Sequence, residues 1–370
     1  MALRWAADRS YRGYDPYDAL LSRRLNVASE RTSRYFGLVA TQVIKRSPFN
    51  VRKLLGITPG LNPKGVALFL SSFARIERRD QVPALSATLL SLRSRGCGQA
   101  WGYNFPWRAR SFYLPAWTPT VVVTAFAGEA FLDAHALTGD PNYLEMALGA
   151  CHFLLEKLNR TEDETGACLS YSPLDQTAVY NASVLGARLL VLSGERADKP
   201  ELVEKARPFV SYVLARQRQD GSWPYGEARY QNWVDSFHTG FVLCALDVFR
   251  RVTGDHSSED AVLRGARFFD RNFFGSEGEP HYYPNRKYPL DIHSSAQGIL
   301  TFLQLRDLLP HFTARARIAA RWMIENLFDP EGYFYYQVRR THKVRIPYMR
   351  WSQAWGVRAL AELSRCGVDL

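Results

Sequence analysis

At 370 residues, 46% apolar and 22% charged, the chain can fill one large core or two ordinary ones, which excludes disorder as its resting state. The net charge of +11 comes mostly from arginine and is scattered, without a basic run or nucleic-acid motif. That pattern excludes nucleic acid and suits an acidic glycan, a lipid headgroup or a simply solvated basic surface.

Five widely spaced cysteines with no CxxC argue against a disulfide framework or a structural zinc. The charged N-terminus has no signal-peptide core, and no run of ~18 apolar residues offers a membrane span. The expectation is a cytoplasmic protein with no metal and no cofactor.

Taken in chain order, residues 1–60 form an N-terminal segment in which 17–46 reads as helix. Residues 61–370 then repeat themselves about every 58 residues. Helix-like segments begin near Lys64, Trp117, Tyr180, Asp235, His293 and Trp351. Each opens on Ser, Thr, Asn or Asp, which are expected to cap the free N–H groups of a helix start. Small residues occupy their first turns, among them Gly186, Gly240, Gly298 and Gly356, so these helices can approach closely. Between them lie five half-exposed amphipathic helices, such as residues 138–158, 199–217, 258–274 and 314–328.

Each outer helix ends in a glycine and aromatic segment (98–105, 165–173, 220–227, 278–285, 331–338) that reads as a loop or short hairpin. Six inner and five outer helices leave one outer place empty, and the N-terminal helix is expected to fill it. The fold class is therefore all-α, an (α/α)6-type toroid closed by its N-terminal helix, one structural domain overall.

In such a ring the segments entering the inner helices converge on one mouth. The aromatic and polar residues there are Tyr103, Trp107, Arg110, Trp117, Tyr171, Asn181, Trp233, Tyr283, Arg350 and Trp351, all candidates for substrate binding. His238, Asp235, Tyr180, His293 and Asp291 are the candidates for catalysis. Asp235 and Asn181 equally suit helix caps, and His238 and His293 equally suit a hydrogen-bonded core. Recurrence at one structural position in successive units favours a shared site.

Residues 217–223, QRQDGSW, resemble the QxxDGSW repeat of terpene cyclases and protein prenyltransferases, themselves α/α toroids. Residues 117–155, the run YSPLDQTAVYNASVLGARLL and the run WVDSFHTGFVLCAL resemble the helical catalytic domain of glucuronyl C5-epimerases. The stretch from GYDPYDALLS to DSFHTGFVL also resembles uncharacterised proteins of bacterial polysaccharide biosynthesis.

These resemblances imply an enzyme acting on a uronic-acid-containing glycan in exopolysaccharide or capsule synthesis, by epimerase- or lyase-like acid–base chemistry. A base removes the proton beside a carboxylate that Arg350 or Arg110 neutralises, with Tyr180, His238 or Tyr283 as base and acid. Three alternatives stay open. One is a glycoside hydrolase using Asp235 and Asp291; the others are a non-catalytic glycan-binding scaffold and a terpenoid cyclase- or prenyltransferase-like protein.

Overall fold

The computed structural model describes residues 1–25, 34–108 and 113–370. Its helices are α1 (Ala2–Ala7), α2 (Arg34–Arg46), α3 (Pro63–Arg75), α4 (Val82–Ser91), α5 (Val121–Thr138), α6 (Pro141–Glu156) and α7 (Tyr180–Ala197). They continue as α8 (Pro200–Leu214), α9 (Ser236–Thr253), α10 (Glu259–Phe273), α11 (Ile292–Gln304), α12 (Phe312–Leu327) and α13 (Trp355–Arg365). From α3 onward, inner and outer helices alternate. The inner helices α3, α5, α7, α9, α11 and α13 pack on one another in that order, and α13 packs back on α3.

Inner helices are buried on nearly every face, because an outer helix covers one side and neighbouring inner helices the others. Helix α5 illustrates the point. It is long and apolar enough to cross a bilayer, yet 61% of that stretch is buried inside the ring.

Local chemistry sets the boundaries. Asn62, Thr120, Asp235 and Asp291 each accept a backbone N–H in the first turn of α3, α5, α9 and α11. Helix α7 instead follows Val179 with no side-chain cap, and α13 is entered through a π-helical turn, Met349–Ala354. Between α5 and α6, Gly139 takes a left-handed φ of 77°, Asp140 caps, and Pro141 opens the outer helix. The small residues of the inner helices serve close approach: a Cβ on Gly240 would fall 2.7 Å from Gln297 of α11.

The segments entering the ring form short antiparallel hairpins. These are β1 (Trp107–Arg108) with β2 (Tyr113–Leu114), and β3 (Arg160–Asp163) with β4 (Gly166–Leu169). A third, three-stranded ladder joins β5 (Leu290–Asp291), β6 (Gln337–Val338) and β7 (Lys343–Val344).

The N-terminal segment behaves differently from the expectation of an outer helix over residues 17–46. A 3-10 turn spans Asp18–Leu21, and α2 packs on this turn and on β1, at the ring's mouth. The seam is covered by earlier residues. Ala2 and Ala6, small and one turn apart, enter the core; Trp5 packs on Tyr333 at 5.4 Å and Tyr11 on Phe69 of α3 at 4.9 Å. Tyr14 O accepts from Met349 N at 3.1 Å, and Asp15 takes the Arg350 guanidinium in two bonds of 2.6 and 2.8 Å.

Candidate active site

The inner-helix starts surround a cavity of about 1340 Å³, larger than a typical drug-sized pocket and roomy enough for several sugar rings. Of the residues singled out in the sequence, Tyr103, Trp107, Tyr171, Asn181, Trp233, Asp235, His238, Tyr283, His293, Arg350 and Trp351 line it. Arg110 lies outside the described residues.

Three others lie elsewhere. Tyr180 turns its hydroxyl to Glu227, 2.6 Å away, in a cluster with Tyr212 and Arg216. Trp117 stands 42% exposed, away from the cavity wall. Asp291 sits behind the wall, wholly buried.

The most pointed chemistry is on α9. Asp235 closes the helix start by accepting from His238 N at 3.1 Å, and its other oxygen takes His238 Nδ1 at 2.7 Å and Trp233 Nε1 at 3.1 Å. One carboxylate thus caps the helix and orients the imidazole. With Nδ1–H given to Asp235, the neutral ring carries its lone pair on Nε2, the nitrogen left for the cavity. Tyr225 stacks on Trp233 at 4.4 Å and meets the His238 ring edge-on at 4.7 Å, which fixes the imidazole plane.

His293 is held by packing alone. It stacks between Phe237 at 4.4 Å and Trp355 at 4.3 Å, and neither ring nitrogen has a hydrogen-bond partner among the described residues. Burial, then the positive charge of Lys64 and Arg350, holds its pKa well below the ordinary histidine value, so it is neutral at pH 7.

The floor was not foreseen from sequence. Phe126 of α5, Phe241 of α9 and Trp355 of α13 meet with ring centres 5.4–5.7 Å apart. Lys64 of α3 lays its ammonium over all three, 4.2 Å from the Phe126 centroid. It is 3% exposed, and burial, then Arg350, holds its pKa well below that of a free lysine. A lysine in the first turn of an amphipathic helix reads as a solvated charge, so sequence gave no signal for it. Tyr17 and Tyr225 were likewise missed as cavity residues.

The rim is basic. Lys45, Arg46, Arg108, Arg286 and Arg339 line the cavity, and none pairs with a carboxylate among the described residues. Burial, with Arg46 adding like charge, pushes Lys45 down to about 8. Arg350, by contrast, has its charge matched by Asp15.

Asp291 holds the wall together. It accepts from His293 N at 2.8 Å, Gln337 Nε2 at 2.5 Å and Trp351 Nε1 at 3.0 Å, linking α11, β6 and the π-helical turn. Burial pushes its carboxyl from 3.8 up to about 6. Between those pH values the folded chain binds a proton that the unfolded chain has released. The stabilisation tied to this group is therefore complete below pH 3.8 and is lost as pH rises through about 6. The span corresponds to about 3 kcal/mol. Asp291→Asn keeps an acceptor for the α11 start, so the Tm of the variant should fall less steeply than wild type between those pH values. Asp18, also pushed up to about 6 by burial, keeps a residual slope in both proteins. Parallel Tm curves would show that Asp291 does not titrate there.

No protein-family description matches the sequence, and no curated protein matches it. Solved structures do match the fold. A sugar epimerase from a ruminal bacterium superposes with a TM-score of 0.65 at 12% identity, over 85% of this chain and 91% of that one. The cellobiose 2-epimerase of Bacillus thermoamylovorans gives 0.64 at 12% identity, over 82% and 88% of the two chains. An unsaturated glucuronyl hydrolase specific for heparin gives 0.62 at 12% identity, over 84% and 88%. At such identities the likeness establishes that this chain has the α/α-toroid fold found in carbohydrate-active enzymes.

Proposed function

We propose that the protein is a carbohydrate-active enzyme that moves a proton on an acidic, uronate-containing glycan, in epimerase- or lyase-like chemistry. One observation carries this reading: the Asp235–His238 pair at 2.7 Å, with the imidazole on the wall of a large aromatic cavity. His238 Nε2 takes the proton beside the carboxylate, the C–H electron pair passes into that carboxylate, and Asp235 stabilises the resulting imidazolium. A proton returned to the opposite face completes epimerisation, and loss of the protonated C4 substituent completes elimination. Tyrosines stacked around the cavity match the faces of sugar rings, and the unpaired cations of the rim attract a polyanion. The fold's neighbours include sugar epimerases and a hydrolase specific for heparin, which supports the substrate class. The sequence resemblance to glucuronyl C5-epimerases, and to proteins of polysaccharide biosynthesis, points the same way.

Hydrolysis by Asp235 and Asp291 fits less well. Both oxygens of each carboxylate already accept hydrogen bonds, and Asp291 does not line the cavity. A terpenoid site would be lined by apolar side chains, whereas this cavity carries histidine, asparagine and arginine.

The test is incubation of the protein with uronic-acid oligosaccharides in deuterated water. Deuterium at C5 without chain cleavage marks an epimerase, and an unsaturated uronate product marks a lyase. Neither deuterium nor unsaturation with any uronate oligosaccharide would overturn the proposal and leave a binding scaffold or a hydrolase.

A further inference from the structure

The centre of the ring holds polar groups that the proton-transfer step does not use. Lys64 on α3, Asn181 on α7 and His293 on α11 come from alternate inner helices and are each at most 3% exposed. All line the cavity. Asn181 Oδ1 and both His293 nitrogens have no hydrogen-bond partner among the described residues. Lys64 touches aromatic faces there and forms no ion pair with a described residue. Leaving a buried polar group unpaired is costly, and these three, lining one cavity from alternate helices of the ring, call for an occupant.

We infer that Lys64, Asn181 and His293 form an anion subsite that takes the carboxylate of a single uronate residue in the depth of the cavity. Lys64 supplies the counter-charge, the His293 ring supplies a neutral donor, and Asn181, whose unpaired Oδ1 only accepts, donates once its amide turns to bring Nδ2 to that position; the three-ring floor bars deeper passage. Burial of Lys64 among the rings favours its uncharged amine, and an entering carboxylate favours the ammonium and pairs with it, which the neutral alternative, a sugar hydroxymethyl group, does not.

The position also fits the reaction, and in this respect the inference rests on the proton-transfer reading. In the packing order of the inner helices, α3 lies three steps from α9 in either direction. Lys64 and His238 therefore approach the cavity from opposite sides. A uronate with its carboxylate toward Lys64 exposes the adjacent C5–H to the other wall, where His238 stands.

The test compares binding of a glucuronate-ended disaccharide with that of its glucose-ended counterpart of the same linkage, by calorimetric titration. Wild type should prefer the acidic sugar by about 10–100-fold, the worth of a charge-assisted contact. Lys64→Met, which keeps the length and apolar body of the side chain, should erase the preference, the acidic sugar losing more affinity than the neutral one. Asn181→Leu should reduce the preference as an independent check, should Lys64→Met fail to fold. A wild type without the preference overturns the assignment, as does a preference that survives in the folded variants. Solvent exchange is read separately on wild type. Exchange without a Lys64-dependent preference sinks only the subsite, and preference without exchange sinks only the proposed reaction.

Discussion

His238→Asn is expected to lower solvent-deuterium incorporation into a uronate oligosaccharide by about 10²–10⁴-fold, the usual contribution of a positioned general base. The reason is geometric. His238 Nδ1 is committed to Asp235 at 2.7 Å, so proton abstraction falls to Nε2, and asparagine has no base to offer in its place. The side chain is part-exposed on the cavity wall and its backbone N–H still reaches Asp235, so the fold should hold and the Tm should stay near that of wild type.

Asp235→Asn isolates the second half of the pair. Asparagine caps a helix as well as aspartate does, so the α9 start survives. The charge that favours the imidazolium does not, and incorporation should drop by a comparable factor. Because the two residues act as one unit, the double variant should be little worse than either single one. Incorporation within a few-fold of wild type in His238→Asn would move the base elsewhere in the cavity.

Much of the fold was legible because the information was periodic. Inner-helix starts, polar caps and small first-turn residues recur, and the structure follows them at Asn62, Thr120, Asp235 and Asp291. The convergence of residues on one mouth was legible for the same reason, since position within the repeat fixes position on the ring.

What escaped depends on contacts that no periodicity encodes. Lys64 gains its character from three rings on other helices, residues 126, 241 and 355. Tyr180 has the right register, but its hydroxyl finds Glu227, a residue of the following loop. Asp291 matches Asp235 as a cap, and differs only because Gln337 and Trp351 close over it. Sequence reading also let helical character in residues 17–46 stand for an outer helix, whereas the apolar residues Leu38, Val39 and Val43 of α2 line the cavity.

Arg350 is where the sequence reading and the structure assign different work. As a basic residue at the mouth it suggested a clamp for the substrate carboxylate. In the structure its Nε and Nη2 are donated to Asp15, both partners are buried, and 335 positions of chain separate them. Asp15 in turn accepts from Tyr17 N, and its carbonyl takes Arg52 Nη2 at 2.9 Å, with Arg52 also bonded to Asp18 at 2.7 Å. The pair therefore fastens the N-terminal segment to the π-helical turn that opens α13.

Breaking a buried pair from one side strands the other charge, at a cost of about 3–5 kcal/mol, whereas replacing both partners removes the stranded charge. Arg350→Met should thus lower the urea midpoint of unfolding markedly at unchanged slope, and Asp15→Asn with Arg350→Met should recover most of the loss. The double variant also separates the two roles. If Arg350 serves the seam, the double variant still prefers an acidic sugar over a neutral one, because Lys64 remains. If Arg350 is the carboxylate clamp, stability returns and the preference does not, and the counter-charge for the substrate would have to be moved from the floor of the cavity to its wall.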